Sequence, residues 1–352
     1  METQAIASPG PLLEVRDLRT GFALREGYVK AVDGASFSVA RGETIGIVGE
    51  SGCGKSITAR AILRIAGTND GELGGSALFR RRGRDGEPGG TVDLLRLPPN
   101  SREIRSIRGA EIAMIFQEPM TAFSPVHTIG NQIIEAIRLH HPVSKEEARA
   151  RAIDMLRKVE MSNAERRIDA YPHQLSGGMR QRAMIAMALV CHPQLLLADE
   201  PTTALDVTTQ AQILALIRQL KADLGMSVMM ITHDLGVVAE TAQNVAVMYL
   251  GKVVEYADVR SLFHDPKHPY TQALLASIPK LGRDAGARLH PVKGMVPSPF
   301  NRPRGCPFNT RCPKVMPGIC DVAMPGPTTI GQGHSVSCFL YGEGDKTMEA
   351  AQ

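Results

Sequence analysis

The chain has 352 residues, 43% of them hydrophobic, and 40 Lys and Arg against 36 Asp and Glu leave a net charge of +4. That length allows one large domain plus a smaller one, with apolar residues enough for a proper core, and so mild a charge gives no argument for nucleic acid. No stretch approaches the ~18 apolar residues of a membrane span, and METQAIASPG has no basic segment followed by an apolar run, so a soluble, cytoplasmic protein is expected.

Leu12 to Leu18 alternates as a strand, and Val29 to Val39 predicts two short β runs around a turn at Asp33-Gly34. Between them stand Phe22 and Tyr28. A ring upstream of a nucleotide site can stack on adenine, and an aromatic in a β-rich stretch can equally be core. Glu43 to Val48 is a short buried strand that runs into Gly49, Glu50, Ser51, Gly52, Cys53, Gly54, Lys55 and Ser56, which fits G-x-x-x-x-G-K-[ST]. Ile57, Ala61, Ile62 and Ile65 then repeat at helical spacing. Strand, glycine loop and helix make a phosphate cradle, in which backbone N–H groups and the helix N-terminus face an anion. Lys55 would reach the β/γ-phosphates and the Ser56 hydroxyl would hold Mg²⁺. Cys53 sits where a thiol pKa tends to fall, or simply fills a small-residue slot.

Gly71 to Asn100, rich in Gly, Arg and Pro, reads as a solvated hairpin tip with its arginines on a wet face. Ile112 to Phe116 is a buried strand that delivers Gln117, a residue that can ligate the metal, orient water or merely belong to a loop. From Thr128 to Ala170 the pattern is helical, with stripes at Ile129, Ile133, Ile134, Ile137 and at Ala148, Ala152, Met155, Leu156 behind a cap at Ser144. This predicts a helical subdomain, about 118–172, inserted between two strands of the core.

Ser176, Gly177 and Gly178 open the next helix, a second anion-binding helix start. One nucleotide does not need two such sites, so this face is expected to serve a nucleotide held by another subunit. Gln194 to Asp199 is an apolar strand ending in two acids. Asp199 would order Mg²⁺ and Glu200 would polarise the attacking water. Asp206 follows in a loop. After a helix from Gln210 to Leu224, the strand Ser227 to Ile231 presents His233 at its C-terminal end, where open α/β sheets place ligand groups.

These pieces, in this order, resemble the ATP-binding cassette (ABC) family: GESGCGKS, Gln117, LSGGM, LLLADE, ALD and His233, over roughly Leu12 to Tyr256. The resemblance implies an α/β P-loop NTPase core with an antiparallel β subdomain and the inserted helical one. It also implies Phe22 on adenine, Gln117 at the metal and the membrane partner, Ser176 to Gly178 on a γ-phosphate across a dimer interface with Asp206, Glu200 as general base and His233 on the γ-phosphate. MIFQEPMTAFSP, YPHQLSGGM and HPYTQALLASIP narrow it to a group, looking like the ATPases of oligopeptide, dipeptide and nickel importers; TAFSP stands where TSLNP is commoner. That group implies peptide import, with two transmembrane permease subunits, a substrate-binding protein outside the cell and a second, non-identical ATPase subunit. The location implied is the cytoplasmic face of the membrane, held through the permease. The opposing reading is a soluble ABC-type ATPase working on nucleic acid or ribosomes; the tandem cassettes, long coiled coils or basic arms usual there are absent. Domains are expected at 12–260 (nucleotide-binding) and 261–342 (the group's C-terminal extension), with 1–11 and 343–352 flexible.

The extension carries Cys306, Cys312, Cys320 and Cys338 at C-x5-C-x7-C-x17-C. By spacing they could ligate a 4Fe–4S cluster, hold zinc without the usual tight knuckle, or remain free thiols. Some members of the resembling group carry an iron–sulfur cluster at such cysteines, which favours the cluster over Zn²⁺. Cys191, after an apolar helix, is expected to be buried.

Overall fold

In a computed structural model, the structure describes residues 10–66, 73–83, 88–118, 122–203, 205–278 and 292–342. The expected flexible ends, 1–11 and 343–352, lie outside these residues apart from Gly10 and Pro11, as do Pro119, Ala204 and the hairpin tip at 84–87.

Two sheets carry the chain. The smaller is antiparallel, in the order β2-β1-β4-β5, from β1 (Leu13–Leu24), β2 (Gly27–Val39), β4 (Leu73–Arg82) and β5 (Pro88–Asp93). The larger has eight strands. Its centre is parallel and wholly buried: β3 (Thr44–Val48), β8 (Ser227–Ile231), β7 (Leu195–Asp199) and β6 (Ile112–Ile115). Strands buried on both faces read as continuous apolar runs, and TIGIV, LLLAD and SVMMI are such runs. On the other side β3 pairs parallel with β9 (Asn244–Tyr249), and β10 (Lys252–Asp258) continues antiparallel. The C-terminal extension then adds its own hairpin, β11 (Thr328–Gly331) and β12 (His334–Val336), to the edge of β10. The cysteine-rich tail therefore extends the core sheet.

Three expectations need correction. Val29 to Val39 forms one strand, because Gly34 takes a positive φ of 92° within it and the Asp33 N–H donates to Gly251 O at 2.8 Å, which absorbs the bend without a turn. The Gly71 to Asn100 block is more than a tip: β4 and β5 pair as an antiparallel hairpin with Ala77 and Phe79 fully buried, and while Arg82 is exposed as expected, Arg81 is held half-buried by Glu111 (Nε to Oε1, 2.9 Å). Cys191 is only half-buried, its thiol 3.7 Å from Ala136 O.

Two helices precede β6, α1 (Lys55–Ile62) and α2 (Arg102–Ile107), and between β6 and β7 the described chain is helical: α3 (Ile129–His140), α4 (Lys145–Lys158), α5 (Ala164–Arg167) and α6 (Gly177–Leu189). Both expected apolar stripes are buried in one core cluster, and Ser144 caps α4 by accepting from Glu147 N at 3.1 Å. Phe123 fills the same cluster, so the departure at TAFSP is absorbed in packing at that position. Among the described residues no helix is long and apolar enough to cross a membrane.

Candidate functional site

The phosphate loop leaves β3 at Val48 and enters α1 (Lys55–Ile62) through Gly54 at φ 101°. Glycine is required at its two ends: a Cβ on Gly49 would stand 2.2 Å from Met248 O, and one on Gly54 2.4 Å from Ala31 O. Lys55 is buried, its ammonium donating to Gly49 O at 2.8 Å and Glu50 O at 3.1 Å. Cys53 is buried too, and burial pushes its thiol pKa up, which overrides the lowering expected at a helix start.

Ser56 Oγ donates to Asp199 Oδ1 at 2.7 Å, which joins the first helix turn to the end of β7. Asp199 is fully buried; burial pushes its carboxyl pKa up against the Ser56 hydrogen bond, and its Oδ2 has no partner among the described residues. A buried orphan carboxylate oxygen beside a hydroxyl is a hard-oxygen pair that fits Mg²⁺.

Gln117, Glu200 and His233 arrive from the C-terminal ends of β6, β7 and β8. Glu200 Oε2 accepts from Gln117 Nε2 at 3.0 Å and from Thr203 Oγ1 at 2.9 Å, and its Oε1 lies 3.4 Å from His233 Nδ1. The Glu200 backbone holds φ 46°, a left-handed conformation that costs a non-glycine residue on the order of 1 kcal/mol, and its N–H is tied to Ile231 O at 2.9 Å. The strain is maintained by the sheet, and it aims the carboxylate at the group formed by Gln117, Thr203 and His233.

Lys55, Ser56, Ile57, Gln117 and Glu200 line a cavity of about 370 Å³ with Ser51, Gly52 and Gly54. Phe22 is not on its wall; it is half-buried and packs against the core between the sheets. Tyr28, opposite Ala23 in the β1–β2 pair, is 40% exposed. Val29, Lys30 and Ala31, just beyond it, do line the cavity. Ser176, Gly177, Gly178 and Asp206 form a separate face. Ser176 caps α6, accepting from Met179 N at 3.4 Å, and Asp206 caps α7 (Val207–Leu224), accepting from Thr209 N at 3.0 Å. A Cβ on Gly178 would come within 3.2 Å of Thr209 Cγ2, so the two helix starts abut.

The tail reaches the loop in ways the sequence reading missed. Glu50 N donates to Tyr270 Oη at 2.9 Å, and Arg311 binds the Glu50 carboxylate with both terminal nitrogens, at 2.6 and 3.0 Å. Pro299 and Arg302 stand in the cavity wall. Tyr270 and Arg311 lie in HPYT and NTRC, segments notable in the sequence only as family signatures.

The four tail cysteines collect in one region. Cys306 N donates to Cys320 O at 2.8 Å, and burial, with the neighbouring Cys320, Cys338 and Cys312 thiols, pushes the Cys306 thiol up to about 12. Yet among the described residues no three His, Cys, Asp or Glu side chains are arranged to hold a metal ion. The donors suit iron or zinc in kind, and the arrangement does not present them to one.

A glycine loop with a buried lysine, a strand-end aspartate tied to the loop serine and a strained glutamate beside it define a P-loop nucleoside triphosphatase. Comparison with known proteins specifies which. The ABC transporter family model matches residues 32–203, and that of the oligopeptide/dipeptide transporter C-terminal region matches 254–320. A probable peptide ABC transporter ATP-binding protein of Sinorhizobium fredii is 51% identical over 97% of this chain and 99% of its own. The dipeptide transport ATP-binding protein DppD of Bacillus subtilis is 47% identical over 94% of each chain. Among solved structures, a dimeric post-hydrolysis state of the ATP-binding cassette MJ0796, bound to ADP and Pi, superposes with a TM-score of 0.60 at 26% identity, over 70% of this chain and 99% of that one. The chain belongs to the ATP-binding subunits of ABC transporters, in the oligopeptide/dipeptide group, and it is an ATPase.

Proposed function

We propose that this ATPase powers import of peptides, or of a related small solute, through a membrane permease. The peptide-transport names of its relatives support that reading over one on nucleic acid or ribosomes. In it, 12–260 is the nucleotide-binding domain, with the helical insertion at about 118–172, and 261–342 is the extension. Two permease subunits form the pore, a substrate-binding protein outside the membrane delivers the solute, and a second ATPase subunit, non-identical to this one, completes the pair. The chain sits on the cytoplasmic face, attached through the permease.

ATP lies in the loop cavity. The loop N–H groups and Lys55 take the phosphates, and Ser56 and Asp199, with Gln117 beside them, would hold Mg²⁺, which when bound neutralises phosphate charge. Ser176, Gly177 and Gly178 close on the γ-phosphate of the partner's ATP, with Asp206 on the same interface; their separation from this chain's own cavity wall and the dimeric state of the MJ0796 relative support that pairing. His233 contacts the γ-phosphate, and Glu200 takes the proton of the attacking water. Phe22 or Tyr28 remains the proposed adenine-facing aromatic, contributed from a neighbouring position on the β1–β2 pair. Cys306, Cys312, Cys320 and Cys338 remain candidate ligands of a 4Fe–4S cluster, or of Zn²⁺, on donor chemistry alone, and no step is assigned to it. Iron, sulfide and zinc content of anaerobically purified protein tests that part; neither metal present would refute it.

The observation that carries the mechanism is the Glu200 carboxylate, held by Gln117, Thr203 and His233 at the rim of the phosphate cavity. Glu200→Gln keeps its hydrogen bonds and loses the base, so ATP turnover should fall by about 10²-fold or more while ATP binding persists and an ATP-bound dimer accumulates. Rapid turnover by that variant would sink the assignment.

A further inference from the structure

The cavity has two chemically different ends. Lys55, Ser56, Gln117 and Glu200 mark the end for the terminal phosphates. Beside the loop residues Ser51, Gly52 and Gly54, the rest of the wall sets apolar Val29, Ala31, Ile57, Leu250 and Pro299 next to two cations, Lys30 and Arg302. Pro299 and Arg302 come from the C-terminal extension, some 250 residues beyond the phosphate loop in sequence. Arg302 is fixed there: Nη1 lies 3.2 Å from Asp33 Oδ2, Nη2 donates to Lys30 O, and a Cβ on Gly251 would come within 3.1 Å of Nη2. Asp33 is also paired with Lys252 at 3.3 Å. Although burial alone would raise the Asp33 carboxyl pKa, Lys252 and Arg302 hold it below its ordinary value, so Asp33 is an ionised anchor. Both terminal nitrogens of Arg302 are thus engaged within the protein. The side chain keeps 20% of its surface exposed, and with both terminal nitrogens engaged what remains for a ligand is the flat face of the guanidinium; Nε is buried, without a partner among the described residues. Phe300, 3.7 Å from where a Cβ on Gly27 would stand, lays the same segment against the tip of the β1–β2 pair.

We propose that Pro299 and Arg302 form the nucleoside wall of the ATP cavity, and that the tethered Arg302 guanidinium packs its plane on the base. A planar, weakly hydrated cation held edge-on by its own protein is suited to stacking on an aromatic ring, with the proline ring beside it as apolar surface. The extension then takes part in nucleotide selection, and Arg302 is a binding residue for the base. The inference rests on the cavity being the ATP site.

The test compares Mg²⁺-ATP with Mg²⁺-tripolyphosphate, which keeps the phosphates and lacks the nucleoside, by titration calorimetry on the full chain. Arg302→Ala should weaken ATP about tenfold and leave tripolyphosphate unchanged. Arg302→Lys, which keeps the charge beside Asp33 and loses the plane, should weaken ATP by nearly as much. Equal losses for both ligands would make Arg302 a purely structural strut, and unchanged ATP affinity, or full retention by the lysine variant, would equally overturn the proposal. Lys55→Ala separates the two readings. If it leaves both ligands bound as in the wild type, the cavity itself is misassigned; if it weakens both while Arg302→Ala weakens neither, only the role of the tail fails.

Discussion

Removing the Arg311 guanidinium should destabilise the whole chain and loosen the phosphate loop in particular. Its side chain is 3% exposed and donates to five oxygens: both of Glu50, at 2.6 and 3.0 Å, Tyr249 Oη at 3.3 Å, Lys293 O at 3.0 Å and Val292 O at 3.4 Å. It also lies 5.7 and 5.9 Å from the centroids of Tyr249 and Phe308. The Glu50 hydrogen bonds, foremost, hold the Arg311 pKa further above its ordinary value, so the cation is permanent. Breaking a buried pair by deleting one partner costs ~3–5 kcal/mol, because the other is left without compensation. Here Glu50 is 25% exposed and water can take up part of its charge, which brings the pair to the lower end. The two ring contacts add ~1 kcal/mol. Arg311→Ala should therefore cost ~3–4 kcal/mol in urea unfolding, and Arg311→Lys about half of that, since lysine cannot reproduce the bidentate fork. In a double-mutant cycle with Glu50→Ala the coupling should be ~1.5–3 kcal/mol, the range of a charged hydrogen-bonded pair. Because Glu50 N also donates to Tyr270 Oη, the same variant should raise the KM for ATP more than it lowers kcat. A loss under ~0.5 kcal/mol, the scale of an ordinary surface substitution, or a coupling near zero, would refute the view that the tail holds the loop.

Two further outcomes follow from buried titratable groups. Burial pushes His268 down to about 3, whereas in the unfolded chain it protonates near 6.5. The folded chain therefore binds fewer protons between these values, so its stability is full above pH 6.5 and falls as pH drops toward 3, by ~2 kcal/mol at pH 5. His268→Asn, which can still accept from Tyr270 N, should flatten the unfolding free energy against pH in that window, and a slope equal to that of the wild type would refute the assignment. Burial likewise pushes Cys306 up to about 12 and Cys191 to about 11, so in metal-free protein at pH 8 both should react with iodoacetamide far more slowly than after denaturation. Mass spectrometry showing native Cys306 labelled as fast as a free thiol would contradict that environment.

Most of the candidate site's geometry was legible because it is local. Each of its parts is a run of apolar strand followed at once by the functional residue: Val48 then Gly49, Ile115 two before Gln117, Ala198 then Asp199 and Glu200, Ile231 two before His233. A buried parallel strand announces itself by composition, and in an open sheet its C-terminal end is where ligand groups lie. Two helix caps were equally readable, since Ser144 and Ser176 act within three residues of themselves, whereas Asp206, expected in a loop, caps a helix that begins at Val207, before the expected Gln210. Errors arose where a local pattern met a distant contact. Asp33-Gly34 has turn chemistry, and a hydrogen bond to Gly251 keeps it in a strand. Arg81 sits in a polar run, and Glu111 draws it in.

The tail is the extreme of that second case. It has little periodicity to read, and its decisive contacts span 261 residues for Arg311 with Glu50 and 269 for Arg302 with Asp33. No spacing rule covers such distances. They matter because of where they land: on the second residue of the phosphate loop and on the strand beside the cavity. Buried Tyr249, Tyr270 and Phe308, with ring centroids 4.7 to 5.4 Å apart, form the joint between core and extension, and Arg311 lies against two of the three. An extension with so few periodic elements cannot rely on a core of its own. It stays folded by packing on the last core strands, and the residues that anchor it are the same ones that grip the nucleotide loop. Loosening the tail and loosening the loop are therefore one event, which is why the Arg311 variant should show its defect in ATP affinity as well as in stability.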